Sequence, residues 1–65
     1  MNENEKVRQE LLEYVKENGV KMKFIAEKVN IPTGTFSRWK HKNFDFRIDK
    51  LIRIKKFLNE SKKQN

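Results

Sequence analysis

Apolar residues recur every three or four positions along most of this sequence, a spacing typical of helices that bury one face. Only two glycines and one proline interrupt its 65 residues. Long stretches without these residues favour helices over the tight turns of a small all-β domain. The sequence therefore predicts an all-α fold in a single domain that covers residues 1–65.

The chain has few means of stabilising such a small domain. It contains no cysteine and one histidine, so neither a disulfide nor a structural zinc site with its four Cys or His ligands is expected. Five Phe, one Trp and one Tyr are more aromatic residues than a disordered segment usually carries. Helix packing or a partner chain remains to stabilise the fold, and we expect no metal and no cofactor.

The sequence shows no sign of membrane insertion or export. Its longest apolar run is the three residues 24–26, far short of the roughly 20 that cross a bilayer. The first five residues are polar and acidic, whereas a signal peptide begins with a basic segment followed by an apolar one. We therefore expect a cytoplasmic protein with no membrane partner.

Turn-favouring residues divide the helical pattern into four segments. The first covers about 5–18 and ends at Gly19; its apolar stripe is Val7, Leu11, Tyr14 and Val15. The second covers about 22–29 and ends at Asn30, which tolerates a left-handed backbone. Pro32 suits the start of the third helix, at about 33–41, because its missing N–H is not needed there. The fourth helix covers about 48–59.

Several apolar residues lie at or beyond the edges of these stripes. The fourth helix has a stripe of four residues with two neighbours beside it, namely Ile48, Leu51, Ile54 and Leu58, with Ile52 and Phe57. The loop 42–47 contains Phe44 and Phe46, at least one of which should be buried. Leu12 either widens the buried face of the first helix or is partly exposed. The polar residues 61–65 lack an apolar anchor, so this tail is expected to fray.

The formal net charge of +7 is unevenly distributed. Residues 1–18 contain five acidic and three basic side chains, whereas residues 19–65 contain four acidic and thirteen basic ones. A basic region joined to a balanced segment is typical of proteins that bind a polyanion. The alternative is that the lysines merely solvate a small protein.

Three groups of residues form a pattern that is specific in residue type and in spacing. They are the run 25–31 (IAEKVNI), the run 36–39 (FSRW), and the apolar positions Leu51, Ile54 and Leu58. Together they resemble the helix-turn-helix of the lambda-repressor-like (Cro/CI-type) DNA-binding domains, over residues 20–58. In that family a small residue lies where the two helices cross, and Ala26 occupies this position. The alternative is a generic helical bundle with the same apolar period.

The sequence departs from the family pattern at three positions. Asn30 stands where the family commonly has Gly in the turn. Met22 stands where it commonly has a Gln that reaches the DNA backbone. Gly34 lies where a base-contacting side chain is common, and it weakens the helix by about 1 kcal/mol relative to Ala. Gly34 either permits close approach of the backbone to DNA or is simply tolerated at the start of a helix.

Helical geometry defines the residues that could touch nucleic acid. Phe36 and Trp39 face the core, so the opposite face of the third helix displays Thr33, Ser37, Arg38 and His41, with Thr35 and Lys40 on its flanks. An Arg side chain can pair bidentately with guanine, which makes Arg38 the predicted base reader. The alternative role of Trp39, stacking on bases of a single strand, is disfavoured because its spacing from Phe36 predicts burial.

The resemblance assigns roles to the remaining positions. It implies base-facing positions for Thr33, Gly34 and Ser37, and it suits Thr35, His41, Lys42 and Asn43 to phosphate contacts. Lys21 and Lys23, at the start of the second helix, combine charge with free backbone N–H groups and also suit phosphate. Each of these side chains has the alternative of being merely solvated. His41 has no accompanying nucleophile or carboxylate in a recognisable arrangement, so the chain is not expected to be an enzyme.

These observations predict a sequence-specific regulator that binds a double-stranded DNA operator, a Cro-like minimal repressor of phage or mobile-element type. A protein-interaction module of antitoxin or antirepressor type with the same fold is the alternative. Membrane-surface binding through the basic fourth helix is a third hypothesis. We expect a monomer or a weak homodimer that pairs on DNA. The apolar residues beyond those of one buried stripe either form the contact between the two copies or cap the core. They are Phe44, Phe46, Ile52 and Phe57.

Overall fold

The protein is described by a computed structural model that covers residues 2–62. Four α-helices follow one another along the chain: α1 (Glu3–Asn18), α2 (Met22–Val29), α3 (Thr33–Lys40) and α4 (Ile48–Lys62). No strand occurs within the described range. The predicted all-α, four-helix fold is confirmed. None of the four helices combines the length and the apolar character that crossing a membrane requires.

The first helix begins two residues earlier than predicted because Asn2 caps it. The Asn2 side-chain oxygen accepts a 2.8 Å hydrogen bond from the Glu5 N–H, and Glu3 and Glu5 in the first turn favour the positive end of the helix dipole. The helix ends as predicted at Gly19, whose φ of 64° is left-handed and whose N–H donates to the Val15 carbonyl.

The predicted stop signal of α2 and the predicted start signal of α3 both lie where expected. Asn30 adopts a left-handed φ of 60° immediately after α2, and Pro32 directly precedes α3. The third helix ends at Lys40, one residue earlier than predicted, with His41 as its C-cap.

The fourth helix is longer than predicted and includes residues 61 and 62 of the predicted tail. The helix continues three residues past Asn59 to Lys62, because no Gly or Pro stops it and the buried Leu58 anchors the turn before its end. Residues 63–65 of the predicted tail lie outside the described part of the chain.

One core joins all four helices. Its buried apolar members are Val7, Leu11, Ile25, Ala26, Val29, Ile31, Phe36, Trp39, Phe46, Leu51, Ile54 and Leu58. Tyr14, Val15 and Phe57 pack half-buried at its edge. Of the two loop phenylalanines, Phe46 is buried and Phe44 is 39% exposed, so the prediction that at least one is buried is confirmed.

Ile48 and Leu12 are among the large apolar residues that lie outside the core. Ile48, predicted on the buried stripe of α4, is 61% exposed. Phe46 takes the core position at this end of α4, since its ring stacks on Trp39 with centroids 5.0 Å apart. Leu12 is 39% exposed, which settles its two predicted alternatives in favour of exposure.

Candidate nucleic-acid interface

A three-residue turn, 30–32, joins α2 to α3. The Ile31 N–H donates a 3.0 Å hydrogen bond to the Ala26 carbonyl oxygen, and both Ala26 and Ile31 are buried. A buried Ala leaves room for two helices to approach closely at this point. The two short helices therefore form one compact unit with a fixed relative orientation.

The core side of α3 is held by two aromatic residues. Phe36 and Trp39 are completely buried, and their rings stack with centroids 5.7 Å apart. The Trp39 indole N–H donates a 2.8 Å hydrogen bond to the side-chain oxygen of Asn4 on α1. Trp39 is thus not available to stack on bases, and its predicted place in the core is confirmed.

A buried arginine fastens α1 to the end of α3. Arg8 is 3% exposed, and its Nε donates a 2.7 Å hydrogen bond to the Trp39 carbonyl oxygen. Its Nη2 donates to the Phe44 carbonyl and to the Asp45 carboxylate, both at 3.1 Å. The guanidinium also lies 5.0 Å from the centre of the Trp39 ring, a cation–π distance.

Asn4 completes this connection one turn before Arg8. Its side-chain oxygen also accepts the Phe46 N–H at 2.8 Å, and its side-chain nitrogen donates to the Phe46 carbonyl at 3.1 Å. In residues 2–62, no buried polar side-chain atom lacks a hydrogen-bond partner. Neither Asn4 nor Arg8 was predicted from the sequence to hold the site. The local indication that they lie close together was their four-residue spacing on the flank of the buried Val7 and Leu11.

The backbone just after α3 is also fixed. The Asn43 N–H donates to the Arg38 carbonyl and the Lys42 N–H to the Trp39 carbonyl, both at 3.0 Å. Lys42 has a left-handed φ of 68°. This pattern is a Schellman motif, which satisfies the last carbonyls of a helix. Together with Arg8 it positions the segment that carries three of the predicted phosphate contacts.

Most of the predicted contact residues are solvent-accessible. The exposed ones are Thr33, Gly34, Arg38, His41, Lys42, Asn43, Lys21 and Lys23, whereas Thr35, Ser37 and Lys40 are half-buried. Ser37 is thus less exposed than its place opposite the buried aromatic residues predicts. His41 folds back onto its own helix, with Nδ1 2.9 Å from the Ser37 carbonyl. Because a carbonyl only accepts, Nδ1 carries the proton in this contact.

The contact residues do not all share one surface groove. Lys21 and Lys23 line a groove with Val20, Phe24 and Glu27 that includes no residue of α3. Lys42 lines another groove, whose remaining walls come from α1 and include Glu5, Leu12 and Glu13. No residue of α3 lines either of these two grooves.

The N-termini of α2 and α3 differ from those of the other two helices. Neither has a side-chain cap, and neither has an acidic residue in its first turn. In contrast, α1 is capped by Asn2 and begins with Glu3, and α4 has Asp49 in its first turn. Uncapped N–H groups at the positive end of a helix dipole favour an anionic ligand.

No metal site accompanies these features among residues 2–62, where no three His, Cys, Asp or Glu side chains cluster. Comparison of the chain with family models, with curated proteins and with solved structures finds no significant match. What the chain binds must therefore be inferred from its own residues.

Proposed function

We propose that this protein is a sequence-specific regulator that binds double-stranded DNA with α3 in the major groove. The observation that carries the proposal is the construction of α3. Phe36 and Trp39 anchor one side completely in the core, and the other side exposes Thr33 and Arg38. The helix contains no acidic residue, so nothing on it repels a phosphate backbone.

The dimensions and chemistry of α3 suit base readout. An α-helix with its side chains is about 10–12 Å across, which fits the major groove of about 12 Å. Arg38 offers a bidentate pair to guanine, and Thr33 offers a methyl group to thymine. The role of Gly34 is to let the backbone of the first turn come close to the DNA.

Phosphate contacts come from both ends of the α2–α3 unit. Lys21 and Lys23 act with the uncapped start of α2, and His41, Lys42 and Asn43 follow the recognition helix. Residues 21–43 contain six basic and one acidic side chain, a balance that attracts DNA. The acidic side chains of α1 repel the phosphate backbone, so the protein binds with α1 turned away from the DNA.

In this account the protein is a Cro-like repressor of phage or mobile-element type that acts in the cytoplasm by occupying an operator. The second candidate function is a protein-interaction module of antitoxin or antirepressor type. It is favoured by Phe24, which is 45% exposed in the groove that Lys21 and Lys23 line. Binding to a membrane surface is the least supported, because Leu51, Ile54 and Leu58 of α4 are buried in the core.

A binding experiment separates these functions. Duplexes are first selected from a random pool, and the affinity for the enriched duplex is then measured by fluorescence anisotropy as salt is raised. A DNA regulator binds more tightly than micromolar at low salt, and the logarithm of its affinity falls linearly with that of salt, by about 0.9 per phosphate contacted. A pool without enrichment, or no duplex bound below micromolar at low salt, would rule out the proposal.

A further inference from the structure

The helix α4 is apolar on two sides. Leu51, Ile54 and Leu58 face the core, yet Ile48 and Ile52 are 61% and 55% exposed. These are the largest exposed fractions among the large apolar side chains that the structure describes. The two isoleucines lie one turn apart on the same face of the helix, so they form a continuous apolar strip that the monomer leaves uncovered.

Opposite charges stand at the two ends of this strip. Asp49 and Lys56 are seven residues apart, so they share one side of α4 about 10 Å from each other, with Ile52 between them. Both are exposed, and within residues 2–62 neither takes part in an ion pair. The neighbouring Lys55, by contrast, is engaged by Glu3 at 2.7 Å. That ion pair lowers the pKa of the Glu3 carboxyl and raises the pKa of Lys55, through the hydrogen bond and the attraction of the charges.

We propose that this face, which we call the α4 seam (Ile48, Asp49, Ile52 and Lys56), binds a second copy of the same chain. The two α4 helices pack antiparallel about a two-fold axis next to Ile52. Such an interface uses the same residues of both copies. Asp49 then faces Lys56 of the second copy, and Lys56 faces Asp49, so that both ends of the strip pair opposite charges.

The groove beside the strip supplies room for this packing. It is open to solvent and is lined by Glu10, Ile52, Lys55, Lys56, Leu58 and Asn59. The aliphatic stems of Lys55 and Lys56 offer apolar surface to the Ile48 of the second copy. The ammonium group of Lys55 stays with Glu3, and that of Lys56 reaches Asp49 of the second copy. The seam differs from the one predicted from the sequence. Phe46 and Phe57 belong to the core and its edge, and Ile48 takes their place.

The size of the seam determines when it forms. Stable interfaces bury about 800 Å² on each partner, far more than two isoleucines and two charged residues supply. Each copy also carries a net charge of +7. Two copies therefore pair only weakly in free solution, with a dissociation constant in the millimolar range. Two copies held on adjacent DNA half-sites pair more readily because their effective concentration is higher; this last step rests on the proposed function.

A charge exchange in the absence of DNA tests the seam independently of DNA binding. In Asp49→Lys and in Lys56→Asp, like charges face each other at both symmetric contacts, whereas a mixture of the two variants restores opposite charges at both. ¹⁵N-labelled Asp49→Lys is titrated with unlabelled Lys56→Asp up to millimolar concentration, and association is followed by NMR shifts and by translational diffusion.

The expected result is that each variant alone associates at least about tenfold more weakly than the parent, and that the mixture recovers the parental constant. Because Lys56→Asp lowers the net positive charge, a general repulsion between the copies would make this variant associate more tightly than the parent, which is the opposite of what the seam predicts. Ile52→Glu should abolish association, and Leu12→Glu, its matched control on an exposed position of α1, should not. Circular dichroism checks that each variant is folded.

The seam is overturned if neither the parent nor the mixture associates at millimolar concentration, or if the parent associates and the charge variants do so equally well. Either result leaves the proposed function standing, since one copy can still bind a half-site. Conversely, paired copies that bind no duplex would overturn the function and leave the seam intact.

Discussion

The Nε of Arg8 donates a 2.7 Å hydrogen bond to the carbonyl oxygen of Trp39, 31 residues away and at the carboxyl end of α3. The bond places a positive charge at the negative end of the helix dipole. The same guanidinium reaches the Phe44 carbonyl and Asp45 in the following loop. One side chain of α1 thus holds both the proposed recognition helix and the loop after it.

Replacement of Arg8 by Met should destabilise the domain by about 1.5–3 kcal/mol, the usual value for hydrogen bonds to a charged group. This loss is a large part of the roughly 3–10 kcal/mol that a domain of this size possesses. Arg8→Lys should recover little of it, because one ammonium group cannot reach three acceptors in a planar array. Urea unfolding followed by Trp39 fluorescence provides the measurement.

Arg53→Met is the matched control for Arg8, since Arg53 is exposed and makes only a 3.5 Å contact with the Asn30 carbonyl. It should change stability by less than about 0.5 kcal/mol. An equal effect of the two substitutions would contradict the role assigned to Arg8.

Gly34→Ala should stabilise the fold and weaken DNA binding. A Cβ at Gly34 would meet no atom within 4 Å and its φ is not left-handed, so nothing inside the protein requires glycine there. Alanine should therefore add about 0.4–1 kcal/mol of stability. If the backbone approaches DNA closely, the same methyl group should reduce affinity about fivefold.

Thermal melts and anisotropy on the selected duplex measure the two effects separately. The matched control is Gly19→Ala, which should lose about 1 kcal/mol, because the φ of Gly19 is +64°. Unchanged affinity in Gly34→Ala would show that the glycine is merely tolerated at the start of α3.

Ala26→Leu should destabilise the domain by about 1–3 kcal/mol, because the added atoms overpack a fully buried position between α2 and α3. Glu27→Leu makes the same side chain at the next, exposed position of α2 and should leave the unfolding midpoint nearly unchanged. Differential scanning calorimetry would compare them. A variant at Ala26 that melts like the parent would mean that the two helices do not approach closely there.

Arg38→Ala should weaken binding to the selected duplex by about 1–3 kcal/mol and relax the preference at one base pair, with little change in melting temperature. Arg53→Ala removes one positive charge from α4 and is the control for the loss of charge alone. Competition against random duplex distinguishes the two types of contact. Equal losses on selected and random DNA would reduce Arg38 to a phosphate contact.

Local patterns predicted most of the fold. The helical period located all four helices, Gly19 and Asn30 marked the ends of α1 and α2, and the spacing of Phe36 and Trp39 predicted their burial. The bonds of Asn4 and Arg8 were not predictable, because they join residues 31 to 42 positions apart and the four-residue spacing of the two side chains does not identify their partners. Asn4 looks like any polar residue in a first turn.

The prediction that Ile48 is buried was wrong for a different reason. Periodicity shows which residues can face a core, but a core this small cannot hold all of them. Phe46 and Ile48 compete for one end of it, and Phe46 occupies it by stacking on Trp39. The candidate contact residues were predictable as a helix face. The half-burial of Ser37 and the left-handed backbone of Lys42 depend on neighbours that the period does not describe.

The most direct test of the central claim is a map of backbone amide shifts in the ¹⁵N-labelled protein as the selected duplex is added at moderate salt. The account predicts the largest shifts in residues 21–23 and 33–43, with α1 almost unaffected beyond residues next to Lys42, and with broadening of the Arg38 side-chain signal. The largest shifts on the acidic side of α1, or none at all with duplex in excess, would contradict it.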